Sequence, residues 1–193
     1  MHKTFNSSIF VETNKRIMKT INYLIITGAI IILSAFTISE SVNLKIADNH
    51  SIKFSGTEVE GIFKDLKGSI QFDEANLEAS KVSFAVAVSS INTGNGTKNK
   101  HAVSDKWFDA EQFPNITFEA KSFTKTTAGY TATGNMTIHG VTKELSIPFS
   151  FANDMFTSKF SVNRMDFKIG TMKGMSKKVS NAIELDVTIH VTK

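Results

Sequence analysis

Alternation of apolar and polar residues dominates the chain from about residue 40 onward, and a period of two specifies strands with one buried face. The last segment is the clearest case. Ile183, Leu185, Val187, Ile189 and Val191 alternate with Glu184, Asp186, Thr188 and His190. The same phase separates Val82, Phe84, Val86 and Val88 from Ser83, Ala85, Ala87 and Ser89 over 81–91. Ile116, Phe118 and Ala120 alternate with Thr117, Glu119 and Lys121, and Leu145, Ile147, Phe149 and Phe151 with Ser146, Pro148 and Ser150. Pro148 removes one ladder donor, which predicts an edge, a bulge or a strand end there. Further strands are predicted at 42–47, 50–59, 67–73, 129–138 and 158–163. Asp73-Glu74-Ala75-Asn76, Thr93-Gly94-Asn95-Gly96, Ala128-Gly129, His139-Gly140 and Asn153-Asp154 supply turn signals between them. Only one short helical stretch is visible, from about 97 into Trp107-Phe108 and no further than 110. One-sided alternation in antiparallel strands leaves two architectures, a closed barrel and a sandwich.

The first 39 residues follow a different pattern. Lys15, Arg16 and Lys19 precede an uncharged run from Ile21 to Ile38, most apolar over Leu24–Leu33, and Ser34, Ala35, Thr37 and Ser39 follow. A basic start, an apolar centre and a small-residue exit describe a secretory signal peptide. Cleavage is expected near Ser39–Glu40. The rival is an uncleaved anchor, because the run is close to the minimum for a membrane span. Met18-Lys19-Thr20 has the form of a normal start, so Met18 is the expected initiator. The expected organisation is a leader over 1–39 and one domain over 40–193, exported to the periplasm or secreted, with no stable membrane span once processed.

That division changes the meaning of the composition. The formal net charge is +4. The leader contains Lys3, Lys15, Arg16 and Lys19 against Glu12, so residues 40–193 keep 18 basic and 17 acidic groups. A nucleic-acid role loses its main support. The chain has no cysteine, which excludes disulfides, thiol catalysis and cysteine-ligated metals. Its 16 phenylalanines stand against two tyrosines and one tryptophan. Phe54, Phe72, Phe84, Phe118, Phe149, Phe151 and Phe160 fall on apolar strand phases. An eight-stranded barrel is just wide enough to be filled by such side chains or to hold one ligand, and the pattern leaves both open.

Candidate catalytic chemistry is sparse. No serine stands in a nucleophile elbow, no histidine pair has helical ligand spacing, and the glycines form no phosphate loop. A zinc site from His50, His101 and His139 would need tertiary contact. No catalytic residue, metal or cofactor is expected.

Residues 104–118, Ser-Asp-Lys-Trp-Phe-Asp-Ala-Glu-Gln-Phe-Pro-Asn-Ile-Thr-Phe, resemble the central motif of the YceI-like family, a His-Leu-x-Ser-x-Asp-Phe-Phe-Asp element leading into Tyr/Phe-Pro-x-Ile-x-Phe. Residues 134–145 are similar to its Gly-x-Leu-Thr-Ile-x-Gly-Val-Thr-Lys-x-Val, and 163–169 to its Asn-Arg-x-Asp-Phe-Gly-Ile. His50–Phe54, Gly61–Phe63 and Gly68–Asp73 fit as well, so the resemblance covers 42–191 in order. It implies an all-β, antiparallel, eight-stranded lipocalin-like barrel. It also implies non-enzymatic carriage of a long-chain amphiphile, a polyisoprenoid (isoprenoid quinone or prenyl phosphate) or a fatty-acyl lipid, by a monomer or homodimer. The alternative is a filled-barrel stress or interaction protein. A further rival is an enzyme acting on a lipid head group with His101 as base. The expected apolar lining is Phe54, Phe84, Val86, Phe118, Ile138, Ile147, Phe149, Phe160, Leu185 and Val187. The expected head-group contacts are His101, Asn163 and Arg164, with an Arg164–Asp166 ion pair as the structural alternative for the arginine. The chain departs from the family pattern at Ala102 for Leu, Lys106 for an acid and Lys168 for Gly, all around the expected mouth.

Overall fold

The computed structural model describes residues 43–172 and 174–193. The leader, its cleavage point and the start at Met18 lie outside them. The described chain is an up-and-down antiparallel barrel whose first three strands are each broken in two. The pieces are β1 (Asn43–Ile46) and β2 (Ser51–Gly56), β3 (Val59–Phe63) and β4 (Leu66–Gln71), β5 (Lys81–Ala87) and β6 (Ile91–Asn92). A short helix α1 (Gly96–Val103) follows. The unbroken strands are β7 (Asn115–Thr126), β8 (Gly129–Ile138), β9 (Val141–Ala152), β10 (Met155–Asn163) and β11 (Ala182–Thr192). Strand β11 closes the ring. It pairs with β10 on one side, and on the other with both β2 (Val187 opposite Ile52) and β1 (Val191 opposite Ile46). Counting each broken strand once, eight strands surround one interior.

The barrel was the expected fold, and the differences are local. The stretch 50–59 reads as one strand, yet the chain reverses at Thr57-Glu58 and pairs β2 with β3, Phe54 opposite Gly61. Glu58 takes the turn with φ of +61°, a conformation usually left to Gly, Asn or Asp, so no punctuation announced it. Strand 81–91 breaks at Val88–Ser90, a 3-10 turn that buries Val88. The helix ends at Val103 rather than reaching 110. Asn95 caps its start by accepting from Lys98 N at 3.0 Å, and Asn99 Oδ1 ties it to β6 by accepting from Thr93 N and Oγ1. Both His139-Gly140 and Asn153-Asp154 form two-residue hairpins with positive φ at each position, the conformation that matches strand twist.

Pro148 sits where the ladder between β9 and β10 stops. Only Ala152, Phe151 and Ser150 pair with Met155, Phe156 and Thr157. The Pro148 carbonyl faces β10, where Ser158 Oγ donates to it at 2.6 Å. The nitrogen of a strand residue points the same way as its carbonyl, so the missing N–H is missing on the β10 side.

The antiparallel order sorts the connections into two ends. The turns 72–80, 127–128 and 153–154 gather at one end, the floor. The turn 57–58, the α1 segment, the turn 139–140 and the β10–β11 connection gather at the other, the mouth. The floor is aromatic. Phe72, just past β4, sets its ring 5.2–6.1 Å from those of Phe123, Tyr130, Phe149, Phe151 and Phe156. Its loop is held by Asp73 Oδ1, which accepts from Ala75 N, and by Glu74, which accepts from Tyr130 Oη at 2.6 Å. That hydrogen bond first, and burial second, push the Tyr130 phenol above its ordinary pKa.

Candidate ligand-binding cavity

Between floor and mouth the barrel is hollow. It encloses a cavity of about 850 Å³, in the upper part of the range for small-molecule sites, roughly 300–1,000 Å³. The filled interior that the sequence left open is therefore not the one adopted.

The inward phase of the strands builds the wall. Phe54 comes from β2, Phe84 and Val86 from β5, Phe118 from β7 and Ile138 from β8. Ile147 and Phe149 come from β9, Phe160 from β10, and Leu185 and Val187 from β11. All ten positions expected to line an interior face this one cavity. The sequence placed Phe72 on the apolar phase of a strand over 67–73 but not at a floor; the strand ends at Gln71, and Phe72 lies just past it.

The three expected head-group residues separate. His101 lies on α1 at the mouth and borders the cavity; among the described residues its ring has no hydrogen-bond partner. Asn163 does not border the cavity. It is exposed, and its Oδ1 accepts from Met165 N at 3.0 Å, capping the 3-10 turn Arg164–Phe167. Arg164 borders the cavity but is only 6% exposed. Its Nε donates to Ser180 O, Nη1 to Ile169 O and Gly170 O, and Nη2 to Ser176 O, Val179 O and Asn181 Oδ1, at 2.7–3.3 Å. Every guanidinium nitrogen is thus spent on the β10–β11 connection. The alternative of an Arg164–Asp166 ion pair is not formed either: Asp166 is exposed, and among the described residues no carboxylate pairs with Arg164. Burial lowers the Arg164 pKa from its ordinary value.

Trp107 closes over this arginine, with its ring 5.7 Å from the guanidinium carbon. Gly170 makes the approach possible. It adopts φ of +59°, and a Cβ there would lie 2.6 Å from Trp107 Cζ3. The central aromatic motif and the Asn-Arg-x-Asp motif, 57 residues apart from Trp107 to Arg164, therefore meet at one point of the mouth.

His50 bonds to the carbonyls of Ala47 and Lys64, and His139 to that of Phe167. They do not join His101, and among the described residues no three acidic or histidine side chains group as a metal site.

A family model for the YceI-like domain matches residues 37–191. A UPF0312 protein of Yersinia enterocolitica is 30% identical over 139 residues, covering 67% of this chain and 71% of that relative. A Campylobacter jejuni YCEI protein of known structure is 28% identical, with a TM-score of 0.59 over 70% of this chain and 85% of that one. Burkholderia cenocepacia BcnA, 21% identical, gives a TM-score of 0.71 over 77% of this chain and all of its own. A polyisoprenoid binding domain from Saccharophagus degradans, 13% identical, gives 0.57 over 77% of this chain and 96% of that domain, and like BcnA it speaks to the fold. A match spanning the hollow barrel, the Trp107 motif and the Arg164 turn shows that the chain belongs to the YceI-like family.

Proposed function

We propose that this protein binds and carries a long-chain amphiphile, with the tail along the barrel axis and the polar end at the mouth, and that it performs no chemistry on it. The observation that carries this reading is the closed-floor apolar cavity of about 850 Å³. Burial of a methylene contributes about 0.8 kcal/mol, so roughly ten of them supply about 8 kcal/mol gross. That is the order of the translational and rotational freedom lost on binding, roughly 4–15 kcal/mol. The tail needs no directional contact, and an isoprenoid or a fatty-acyl chain fits the same wall. The neighbour described as a polyisoprenoid binding domain supports the first class. The leader-like segment before residue 40 supports action outside the cytoplasm, in the periplasm or beyond.

Titration with a fluorescent fatty acid tests the reading. Saturable uptake at one probe per chain, displaced by unlabelled chains and weakened at least tenfold in Leu185→Lys, is the expected result. Leu185 faces the cavity from β11, and a folded variant with unchanged uptake, or no saturable uptake by the parent protein, contradicts it.

A further inference from the structure

The cavity's charged border is one-sided. Lys98 on α1, Lys106 in the turn after it and Lys178 in the 3-10 turn Met175–Lys178 all border the cavity at the mouth, joined by His101 and the buried Arg164. Among the described residues a single carboxylate, Glu58 of the β2–β3 turn, borders it from the same end. The three lysines are exposed and, among the described residues, have no ion-pair partner. Elsewhere three lysines are paired, Lys67 near Asp65, Lys121 with Glu144 at 2.8 Å and Lys159 with Asp186 at 3.0 Å. Others such as Lys45 and Lys143 have no ion pair among the described residues, so what sets Lys98, Lys106 and Lys178 apart is their place around one opening. Residues 40–193 are nearly neutral as a whole, so this is a local excess. Arg164 adds a charge that carbonyl dipoles solvate and that, among the described residues, no carboxylate pairs with.

Resting on the carrier reading above, we propose that the mouth selects an amphiphile with an anionic head group, a carboxylate or a phosphate, held by Lys98, Lys106 and Lys178. Arg164 is not the contact, because its donors are already spent; it holds the β10–β11 connection that presents Lys178 and contributes its field. Lysine suits the task. Its ammonium is a point charge on a flexible stem, able to follow head groups of different shape, and charge-assisted hydrogen bonds to an oxyanion are stronger than neutral ones.

Three probes of equal chain length test this: hexadecanoate, hexadecyl phosphate and hexadecanol. The parent protein is expected to prefer both anions to the alcohol by about tenfold, the combined effect of three partly exposed ion pairs. High salt should shrink that preference. The triple variant Lys98→Gln, Lys106→Gln, Lys178→Gln should lose the preference and its salt dependence while binding hexadecanol as before. A stronger response to one anion identifies the carboxylate or the phosphate as the native chemistry. Equal, salt-independent binding of all three probes, or a triple variant that keeps the preference, overturns the proposal and leaves the carrier reading standing. Failure of the parent protein to bind any of the three overturns both.

Discussion

Arg164 is where residue type and residue role come apart most clearly. An arginine in a recognisable motif near a mouth reads as a head-group contact, but its acceptors are the carbonyls of the connection that follows β10, and no local pattern encodes that. The consequence is measurable. Arg164→Lys keeps the charge but replaces a five-donor fork by three donors, leaving buried carbonyls unpaired. It should cost about 2 kcal/mol or more in denaturant unfolding. Unchanged stability with altered ligand affinity would return the residue to head-group binding. Lys168 offers the opposite case. The family pattern has Gly there, and the sequence marked the departure. Lys168 adopts φ of +59° and ψ of +25° at the end of the Arg164–Phe167 turn, a conformation that costs a non-glycine residue about 1 kcal/mol. Lys168→Gly should raise the unfolding free energy by about that amount, and a drop would show that the lysine side chain makes a compensating contact.

Strand periodicity was a sound guide wherever a strand has one buried face, and it failed at breaks. The alternation in β11 placed its inward side chains correctly, because a period of two leaves no freedom once one face is buried. The reversal at Thr57-Glu58 escaped notice since neither residue is a usual turn former, and the 3-10 break at Val88–Ser90 did because Val88 continues the apolar phase. Pro148 lies within β9 rather than at its end, paired with Thr131 of β8 but beyond the last residue paired with β10, so of the edge, bulge or strand end that the proline predicts it is the edge-like case. Phe72 was placed on an apolar strand phase, but its strand ends at Gln71 and the ring, surrounded by five others, belongs to the floor loop 72–80. Phe72→Ala should therefore act twice: a loss of roughly 3–5 kcal/mol for a large aromatic removed from a packed cluster, and a shift of the bound chain-length optimum to longer chains as the cavity deepens. Destabilisation with an unchanged length optimum would show that Phe72 does not limit the depth.

At the scale of the whole molecule, the family and the barrel were legible because ordered motifs span the chain, whereas hollowness was not. Periodicity says which side chains face inward; the radius and the packing of opposing rings decide how much space remains between them. The phenylalanine excess was the visible symptom, and it divides between walling the cavity and sealing one end. Of the basic mouth only Lys106 stood out in the sequence, since Lys98, Lys106 and Lys178 come from three segments that only the closed barrel brings around one opening. Bound ligand should stabilise the native state by mass action, about 2.7 kcal/mol at a hundredfold excess over Kd, visible as a raised thermal midpoint. The most direct measurement is native mass spectrometry of the protein purified from its own source without detergent, followed by solvent extraction and identification of what is released. A one-to-one adduct that yields a single-chain amphiphile is the expected result. The apo mass from every preparation, with an empty extract, would contradict it.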